Sequence, residues 1–516
     1  MTNALDPRTP VLVGVGTVSD DAEAVELMVQ ATEAALADAG GQRLAGAIDR
    51  VAVPQGSWAY VDPARLVAER VGARRAKTHL VELGIAQQSL INDALAAILS
   101  GAADVAVVAG GEAKRWVRDR EKSGLPPIET AQPGAAPDVI RRREGPLLEP
   151  VEVAHRLWDP VQQYAMIDNS LRAAEGLSIE QQRTEIADLW ARFAAVAEGN
   201  PDAAFGAPGD AHWIATPSAD NRPLAFPYNK WHSTQWTVNQ AAALVLCSVE
   251  AAERHGVPAD RWVFPRVGLE SSHAVSLLCR GQISAWPAME VLGGTAAAWL
   301  GRPVAEVEVA EVYSCFPAAV RVQQRALGLD LVGTPTITGG MAFAGGPFNN
   351  FVLQSVAAVA ERLRTEPDQL GMVTTVSGLL TKPGLGVWSA RPDGRPPLLA
   401  DLAYEVASVT DTIEAVATLE GYDGMGTVAT YTVTYDGMDP VQVVAVCDTD
   451  DGRRCVSIST DPALAASVCS EELIGTRVRI RSGAFDADGP GRIGPSQGGD
   501  DHRGNLGSYS GCHDCS

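Results

Sequence analysis

Apolar, β-branched runs alternate with alanine-rich stretches of helical period along the first 120 residues. The helical stretches cover 22–39 and 83–100. Short apolar runs that each predict a strand lie before, between and after them, at 11–14, 48–53 and 105–109. This βαβαβ order is typical of a mostly parallel sheet with helices on its faces, so the pattern predicts the α/β class.

A second region, 285–400, repeats this layout. It contains an alanine-rich helix that ends near Trp299, then a strand, a helix, a glycine-rich turn, a long helix and another strand. The strands are expected at 307–313 and 372–376, and the helices at 318–327 and up to Leu363. The two regions therefore indicate two duplicated halves rather than a solenoid of short repeats.

Residues 121–205 interrupt the first half with a proline pair and an amphipathic helix rich in Gln and Arg at 179–196. The first pattern then returns, with a buried strand expected at 241–247 and a helix at 249–255. We therefore assign an N-terminal half to 1–120 with 206–256, an insertion domain to 121–205 and a C-terminal half to 257–400.

The pattern changes to closely spaced strands after the linker-like stretch 391–397. Strands are expected at 427–435, 441–447, 454–459 and 477–482, with one helix at 462–473. This density predicts a small closed β-barrel of the oligonucleotide/oligosaccharide-binding (OB) type over 401–485, with a small sandwich as the alternative. Gly, Asp and Ser dominate 486–516, which predicts a disordered tail.

Composition and charge limit the expected cellular location of the protein and the classes of partner it could bind. No run of about 18 apolar residues occurs, and the N-terminus lacks a basic and apolar leader, so we expect no membrane span and a cytoplasmic location. The net charge of -22 makes nucleic acid a poor partner. A small basic pocket for one phosphorylated ligand is still compatible with this charge.

The eight cysteines do not form a disulfide pattern, and we expect reduced thiols. Cys512 and Cys515 have the spacing of half a zinc site, but no second close pair completes it. We therefore expect no metal site.

Several motifs resemble the thiolase superfamily, particularly the sterol-carrier-protein type and the actinobacterial thiolase-like proteins often labelled acetyl-CoA acetyltransferases. The segment 98–112 is similar to the stretch after the thiolase nucleophile helix, and 339–347 is similar to the loop that normally ends in Gly-His-Pro. Tyr313-Ser-Cys-Phe lies where the sterol-carrier type has His-Asp-Cys-Phe, and 216–231 and 380–388 are similar to the thiolase-like proteins specifically. The resemblance covers about 8–400, and it implies a five-layered αβαβα fold and a coenzyme A (CoA) thioester as substrate.

The resemblance also places the reactive groups of a thiolase, and this chain replaces each of them. The nucleophilic cysteine falls on Gly84, and the first cysteine of the whole chain is Cys247. The activating histidine falls on Gly346 and the second cysteine on Val376. Acyl transfer through an acyl-cysteine needs a thiolate and a base, so we expect no thiolase activity.

Tyr313 is the strongest remaining candidate for chemistry, as an acid or base beside the thioester. Similar proteins with Tyr-Asp-Cys-Phe carry out retro-aldol cleavage, although Ser314 replaces the Asp here. Cys315 is a weaker candidate, because the matching cysteine of the family is not the nucleophile. The backbone N–H groups of Gly345, Gly346 and Gly378 could hold a carbonyl, or these glycines could serve only tight turns.

Lys230, His232 and His273 are candidates for contact with a CoA phosphate or with pantetheine. The leading hypothesis is therefore a protein of lipid or sterol metabolism that binds CoA or acyl-CoA without acyl transfer, as a monomer or homodimer. In that hypothesis the barrel could bind a protein partner. The alternative is a lyase or hydrolase that acts on a CoA thioester through Tyr313.

Overall fold

A computed structural model describes residues 5–40, 42–126, 129–146, 148–155, 157–416 and 422–486. Its strands are β1 (Pro10–Val18), β2 (Arg50–Pro54), β3 (Lys77–Val81), β4 (Val105–Ala113), β5 (Val139–Arg141), β6 (Pro223–Ala225), β7 (Tyr228–Asn229), β8 (Asn239–Ser248), β9 (Phe264–Glu270), β10 (Val309–Glu311), β11 (Leu370–Ser377), β12 (Lys382–Ser389), β13 (Leu398–Asp401), β14 (Gly424–Asp436), β15 (Asp439–Thr449), β16 (Arg454–Ser459), β17 (Arg477–Arg481) and β18 (Ala484–Asp486).

Its helices connect and cover these strands. They are α1 (Ala24–Asp38), α2 (Pro63–Arg70), α3 (Gln87–Leu99), α4 (Lys114–Lys122), α5 (Pro150–Ala154), α6 (Pro160–Ala174), α7 (Ile179–Glu198), α8 (Ala211–Ala215), α9 (Val249–His255), α10 (Pro287–Leu300), α11 (Pro317–Leu327), α12 (Gly340–Phe343), α13 (Phe351–Thr365), α14 (Ala403–Val409) and α15 (Pro462–Ser467).

The first sheet has the strand order β1-β8-β4-β2-β3-β5. Strands β2 to β5 pair in parallel, whereas β8 is antiparallel to both of its neighbours. Every residue of β4 and β8 is buried, because helices cover both faces of the sheet. This two-sided burial explains why these strands have continuous apolar sequences instead of alternating ones.

The second sheet has the order β10-β11-β12-β9-β13 and completes a layered body. Helices α3 and α13 lie between the two sheets. Helices α1 and α2 cover the outer face of the first sheet, and α10 covers the outer face of the second. The predicted five-layered αβαβα arrangement is confirmed.

The C-terminal strands form the predicted small barrel. Their order is β15-β16-β18-β17-β14, and pairing between β14 and β15 closes the five-stranded barrel. Strand β14 also pairs with β6, so the β6–β7 hairpin extends the barrel sheet into the layered body. Helix α6 of the predicted insertion packs against β14 on the same side.

Three predicted elements differ from the structure at their ends. Helix α3 begins at Gln87 instead of residue 83, because Gly84 has φ +97° and Ala86 is extended. Helix α15 ends at Ser467 instead of residue 473, and the Tyr431 hydroxyl there donates to the Val468 carbonyl. Strand β10 spans only three residues, because the Val312 N–H bonds to Pro335 O and not to a strand.

The sequence pattern also missed the central strands of the second sheet, β9 and β12. The Lys-Pro-Gly-Leu-Gly start of β12 has the composition of a turn. However, a Cβ on Gly384 would lie 2.7 Å from Gln88 Cβ, so the glycine allows helix α3 to approach the strand closely.

The remaining predictions concern the tail, membranes and metals. The tail beyond residue 486, with Cys512 and Cys515, lies outside the described residues. Within the described ranges, no helix is long and apolar enough to cross a membrane. The same ranges contain no cluster of three or more side chains that could hold a metal ion. The domain boundaries stay predictions.

Candidate functional site

The structure brings the Tyr313–Phe316 segment and the glycine-rich loop together. The Met341 N–H donates to Ser314 Oγ at 3.1 Å. Thr234 donates to the Cys315 carbonyl from both its N–H and its Oγ1, each at 3.0 Å. The Gly346 N–H donates to Gln235 O at 3.1 Å. Two segments that the sequence resemblance assigns to one site are therefore in contact, with residues 234–235 between them.

Gly346, where the family histidine would lie, has no room for a side chain. A Cβ at this position would lie 2.1 Å from Thr234 Cγ2, closer than any real contact. Its N–H group is already bonded to Gln235, so it is not free to hold a ligand carbonyl. Gly345 has φ +101°, and a Cβ there would lie 2.4 Å from Gln240 Oε1. Both glycines therefore have a packing role in this loop.

Lys382 lies close to both positions that the resemblance assigns to the family cysteines. Gly84 lies in the turn before α3, and its carbonyl accepts a hydrogen bond from Lys382 Nζ at 3.2 Å. Val376 lies near the end of β11, and the next residue, Ser377, pairs with Lys382 across the β11–β12 hairpin. Gly378, with φ +63°, starts the hairpin turn, and its carbonyl accepts from Thr381 Oγ1 at 2.7 Å.

A cavity of about 370 Å³ opens beside this lysine. Gly378, His273, Thr381 and Lys382 line it, together with the acidic residues Glu144 and Glu149. His273 and Gly378, both predicted ligand contacts, therefore share one cavity.

A second cavity of about 450 Å³ adjoins the first one. The two cavities share His273 and Thr381 in their walls. The second has a more apolar lining that includes Trp286, Leu380 and Val406. A polar compartment thus adjoins one that could take an apolar group.

Lys382 is a functional candidate that the sequence motifs did not reveal. Its side chain is only 7% exposed, and among the described residues no carboxylate forms an ion pair with it. Burial, and secondly the charge of Arg143, lower its pKa from the ordinary lysine value. A signal was available, because Lys382 is the only charged residue from 370 to 390.

Tyr313 is held firmly by its backbone. Its N–H donates to Thr374 Oγ1 at 2.8 Å, and its carbonyl accepts from Gln323 Nε2 at 2.9 Å. The ring meets Phe351 edge-on and is only 8% exposed. Burial, and secondly Cys315, raise the pKa of the phenol well above its ordinary value. Tyr313 is therefore a protonated donor, and no acceptor for its hydroxyl occurs among the described residues.

Cys315 lies in an apolar environment that disfavours its thiolate. Burial raises the pKa of the Cys315 thiol to about 12, so the thiol is protonated at neutral pH. Tyr164, from helix α6 of the insertion, lies beside this thiol and stacks on Phe316 with ring centroids 4.6 Å apart. Sequence reasoning did not find Tyr164, because no motif surrounds it.

Lys230 and His232 lie apart from the cavity with His273. His232 is buried, and its Nδ1 accepts a hydrogen bond from the Asn229 N–H at 2.9 Å. Burial lowers the pKa of His232 to about 3, so its ring is neutral and has no charge for a phosphate. Lys230 Nζ lies 5.5 Å from the centroid of the Trp231 ring. Neither residue lines the cavity that His273 and Gly378 share.

Comparison with known proteins identifies the barrel. The family of thiolase-like protein type 1 additional C-terminal domains matches residues 405–484, which include β14 to β17. No curated protein matches the chain.

Solved structures are similar over most or all of their own length. A monomeric SCP2-thiolase-like protein type 1 from Mycobacterium smegmatis matches 94% of this chain and 100% of its own, with 29% identity and a TM-score of 0.79. Human mitochondrial 3-ketoacyl-CoA thiolase in complex with CoA matches 75% and 99%, with 16% identity and a TM-score of 0.54. An Ltp2-ChsH2(DUF35) aldolase matches 75% and 99%, with 18% identity and a TM-score of 0.57.

The likeness to the human thiolase and to the aldolase concerns the fold alone. The match to the mycobacterial protein extends over both the layered body and the barrel. The chain therefore has a thiolase fold and carries the additional C-terminal domain of the thiolase-like proteins of type 1.

Proposed function

We propose that this protein binds CoA or an acyl-CoA of lipid or sterol metabolism without transferring the acyl group through a cysteine. The observation that carries the proposal is the crowding at Gly346, where Thr234 Cγ2 would lie 2.1 Å from a Cβ. A base on the glycine-rich loop thus lacks both a side chain and the space for one. The similar human thiolase is a complex with CoA, which supports CoA as the ligand class.

The other two reactive positions support the same proposal. Gly84 has no side chain, and the aliphatic Val376 neither donates nor accepts a proton. Cys315 lies within a site motif, but the raised pKa of its thiol keeps it protonated. Binding without acyl transfer is the function that needs none of these groups to react.

Calorimetric titration with CoA, acetyl-CoA and longer acyl-CoAs tests the proposal. A mass-spectrometric assay of acetoacetyl-CoA with CoA runs beside it and detects thiolysis. We expect saturable binding and no thiolysis product. Thiolysis at the rate of a working thiolase, or no binding of any CoA compound, would contradict the proposal. The similar mycobacterial protein is monomeric, and we expect a monomer in the titrated sample.

A second candidate function is a lyase or hydrolase reaction that uses Tyr313 as a proton donor. The observation that favours it is the protonated Tyr313 hydroxyl without an acceptor among the described residues. Incubation with acyl-CoAs and 3-hydroxyacyl-CoAs, followed by mass spectrometry, would reveal a cleaved product. Tyr313→Phe should abolish this turnover, and Tyr404→Phe, at an 84% exposed position, should not. Equal turnover in both variants would exclude the role of Tyr313.

A protein partner of the barrel is also part of the proposal. One side of the barrel already packs against α6 and the β6–β7 hairpin, so a partner would bind on the other sides. Chemical cross-linking of the protein together with the proteins that co-purify with it tests whether a partner binds the barrel. Cross-links confined to the layered body would contradict it.

A further inference from the structure

Lys382 is a buried cation with no carboxylate at ion-pair distance among the described residues, and Glu144, which lines the same cavity, acts on it only as a more distant opposite charge. Its side chain is 7% exposed, and its only hydrogen-bond partner among the described residues is Gly84 O, at 3.2 Å. A buried ammonium that is neither paired nor fully hydrogen-bonded is unfavourable. An ammonium also has more N–H donors than this one bond uses. Such an arrangement is maintained when a ligand oxygen accepts the remaining hydrogen bonds.

The position of Lys382 indicates which ligand oxygen would accept its remaining hydrogen bonds. The lysine lies between Gly84 and the Val376–Gly378 turn, the places of the two family cysteines. It also lines the cavity of about 370 Å³ together with His273. A thioester whose acyl end enters this cavity would meet Lys382, which borders Gly84, the position that the resemblance assigns to the thiolase nucleophile. Its carbonyl oxygen would then lie within reach of the free donors of Lys382.

We propose that Lys382 donates a hydrogen bond to the acyl carbonyl oxygen of a bound CoA thioester and so makes the site prefer acyl-CoA to free CoA. This inference rests on the proposed function, because it assumes that CoA compounds bind here. Free CoA ends in a thiol and offers no oxygen at this point. A buried donor that loses its acceptor discriminates strongly between two such ligands.

A purely structural role for Lys382 makes different predictions. If the lysine only anchored the Gly84 turn, its loss would lower the melting temperature and weaken CoA and acyl-CoA equally. If it serves a ligand, an apolar replacement removes an unpaired buried charge. Stability should then stay equal or rise while ligand preference falls.

The experiment compares Lys382→Met with wild type and with Lys122→Met, a matched change at an exposed lysine. Methionine has an unbranched side chain of similar length to lysine, and this side chain has no N–H donor. Dissociation constants for CoA and acetyl-CoA are measured by titration calorimetry at neutral pH. Melting temperatures are measured by differential scanning calorimetry. We expect Lys382→Met to weaken acetyl-CoA binding about tenfold and CoA binding less than about twofold, as for one charged hydrogen bond. Its melting temperature should not fall, and Lys122→Met should match wild type.

Every other outcome overturns the inference. Equal weakening of both ligands with a lower melting temperature identifies a structural lysine. If Lys382→Met keeps the preference of wild type for acetyl-CoA, Lys382 has no role in that preference. The proposed function is then unaffected. Failure of wild type to bind either compound overturns both proposals.

A measurement on wild type alone covers the case in which Lys382→Met does not fold. The ratio of the CoA and acetyl-CoA dissociation constants is followed from about pH 6 up to about pH 10, close to the ordinary lysine pKa of about 10.4, below which burial holds the pKa of Lys382. We expect the preference for acetyl-CoA to fall as pH rises, because the neutral amine is a weaker donor. A ratio that is independent of pH over this range would contradict the role of the ammonium.

Discussion

Arg454 donates from Nη1 to the backbone carbonyl of Arg280 at 2.6 Å and so joins the additional C-terminal domain to the layered body. Arg280 in turn donates from Nη2 to Leu379 O and Leu380 O, each at 2.9 Å. These two leucines have φ near +60°, a strained conformation for residues other than glycine. The additional domain therefore supports the strained turn that follows Gly378.

Arg454→Leu should lower the free energy of unfolding by about 3 kcal/mol, because it removes buried, charged hydrogen bonds to Arg280 and Asp448. Urea denaturation followed by circular dichroism measures this value. Arg453→Leu is the matched control at the adjacent position, where the side chain is 39% exposed and pairs only on the surface. Its effect should be much smaller, because water screens an exposed ion pair. Equal effects of the two variants would show that the buried contact of Arg454 contributes no more than a surface ion pair.

Gly346→Ala should lower the free energy of unfolding by about 1–3 kcal/mol, since the new Cβ meets Thr234 Cγ2 in a filled space. Thermal and urea unfolding provide the measurement. Thr234→Ser removes the obstructing methyl and keeps the hydroxyl that donates to Cys315 O. The added cost of Gly346→Ala should therefore be smaller in the Thr234→Ser background.

Gly294→Ala is the control for the Gly346 experiment. Gly294 lies inside helix α10, and a Cβ added there would have no other atom within 4 Å. Alanine at this position should therefore raise stability by up to about 1 kcal/mol. A cost at Gly346 no greater than at Gly294 would contradict the steric explanation for the missing histidine.

Asp168→Asn should destabilise the protein by about 3 kcal/mol, because it breaks a buried ion pair with Arg321 that joins helix α6 to helix α11. Asp168 also accepts a hydrogen bond from the Tyr228 hydroxyl at 2.5 Å. Urea denaturation gives the free energies. Asp188→Asn, at an exposed position of helix α7, is the control and should have little effect.

The double variant Asp168→Leu/Arg321→Met extends this prediction. It should cost less than Asp168→Leu and Arg321→Met taken together, because neither buried partner is left without the other, while Glu175 and Glu185, which also pair with Arg321, are partly exposed. A cost equal to the sum of the single variants would show that the two residues act independently.

Glu270 should make stability fall as pH rises through the neutral range. Burial raises the pKa of Glu270 to about 7, and Ser89 and Asn92 donate hydrogen bonds to it. A raised pKa in the folded state means that the protonated group supports the fold below about pH 4.5. This support is lost as pH increases through about 7.

Glu270→Gln tests this pH dependence, because the amide cannot ionise. The stability of the variant relative to wild type should increase from pH 5 to pH 8, an interval of about 3 units, by on the order of 1–3 kcal/mol. Urea denaturation at both pH values measures the difference. Glu250→Gln, at an exposed position, should show no such trend. A constant difference for Glu270→Gln would contradict the raised pKa.

The hydrophobic pattern along the chain was sufficient to predict the layers of the body and the C-terminal barrel. Fully apolar runs such as 241–247 predict strands that are buried on both faces, and alanine-rich segments predict the helices between them. The order of residues also shows that no cysteine precedes Cys247, so the first half contains no cysteine side chain. These conclusions depend on local periodicity or on residue identity, both of which a linear sequence contains.

Only the tertiary structure decided what surrounds the replaced positions. Lys382 reaches the carbonyl of Gly84 across 298 residues of sequence, and Thr234 fills the space beside Gly346. Tyr164 reaches Cys315 from an insertion without any motif. Such contacts depend on how the layers pack and on which side chains meet between them. The hydrophobic period of a sequence does not predict these contacts, because residues far apart in sequence become neighbours only after the sheets and helices are assembled.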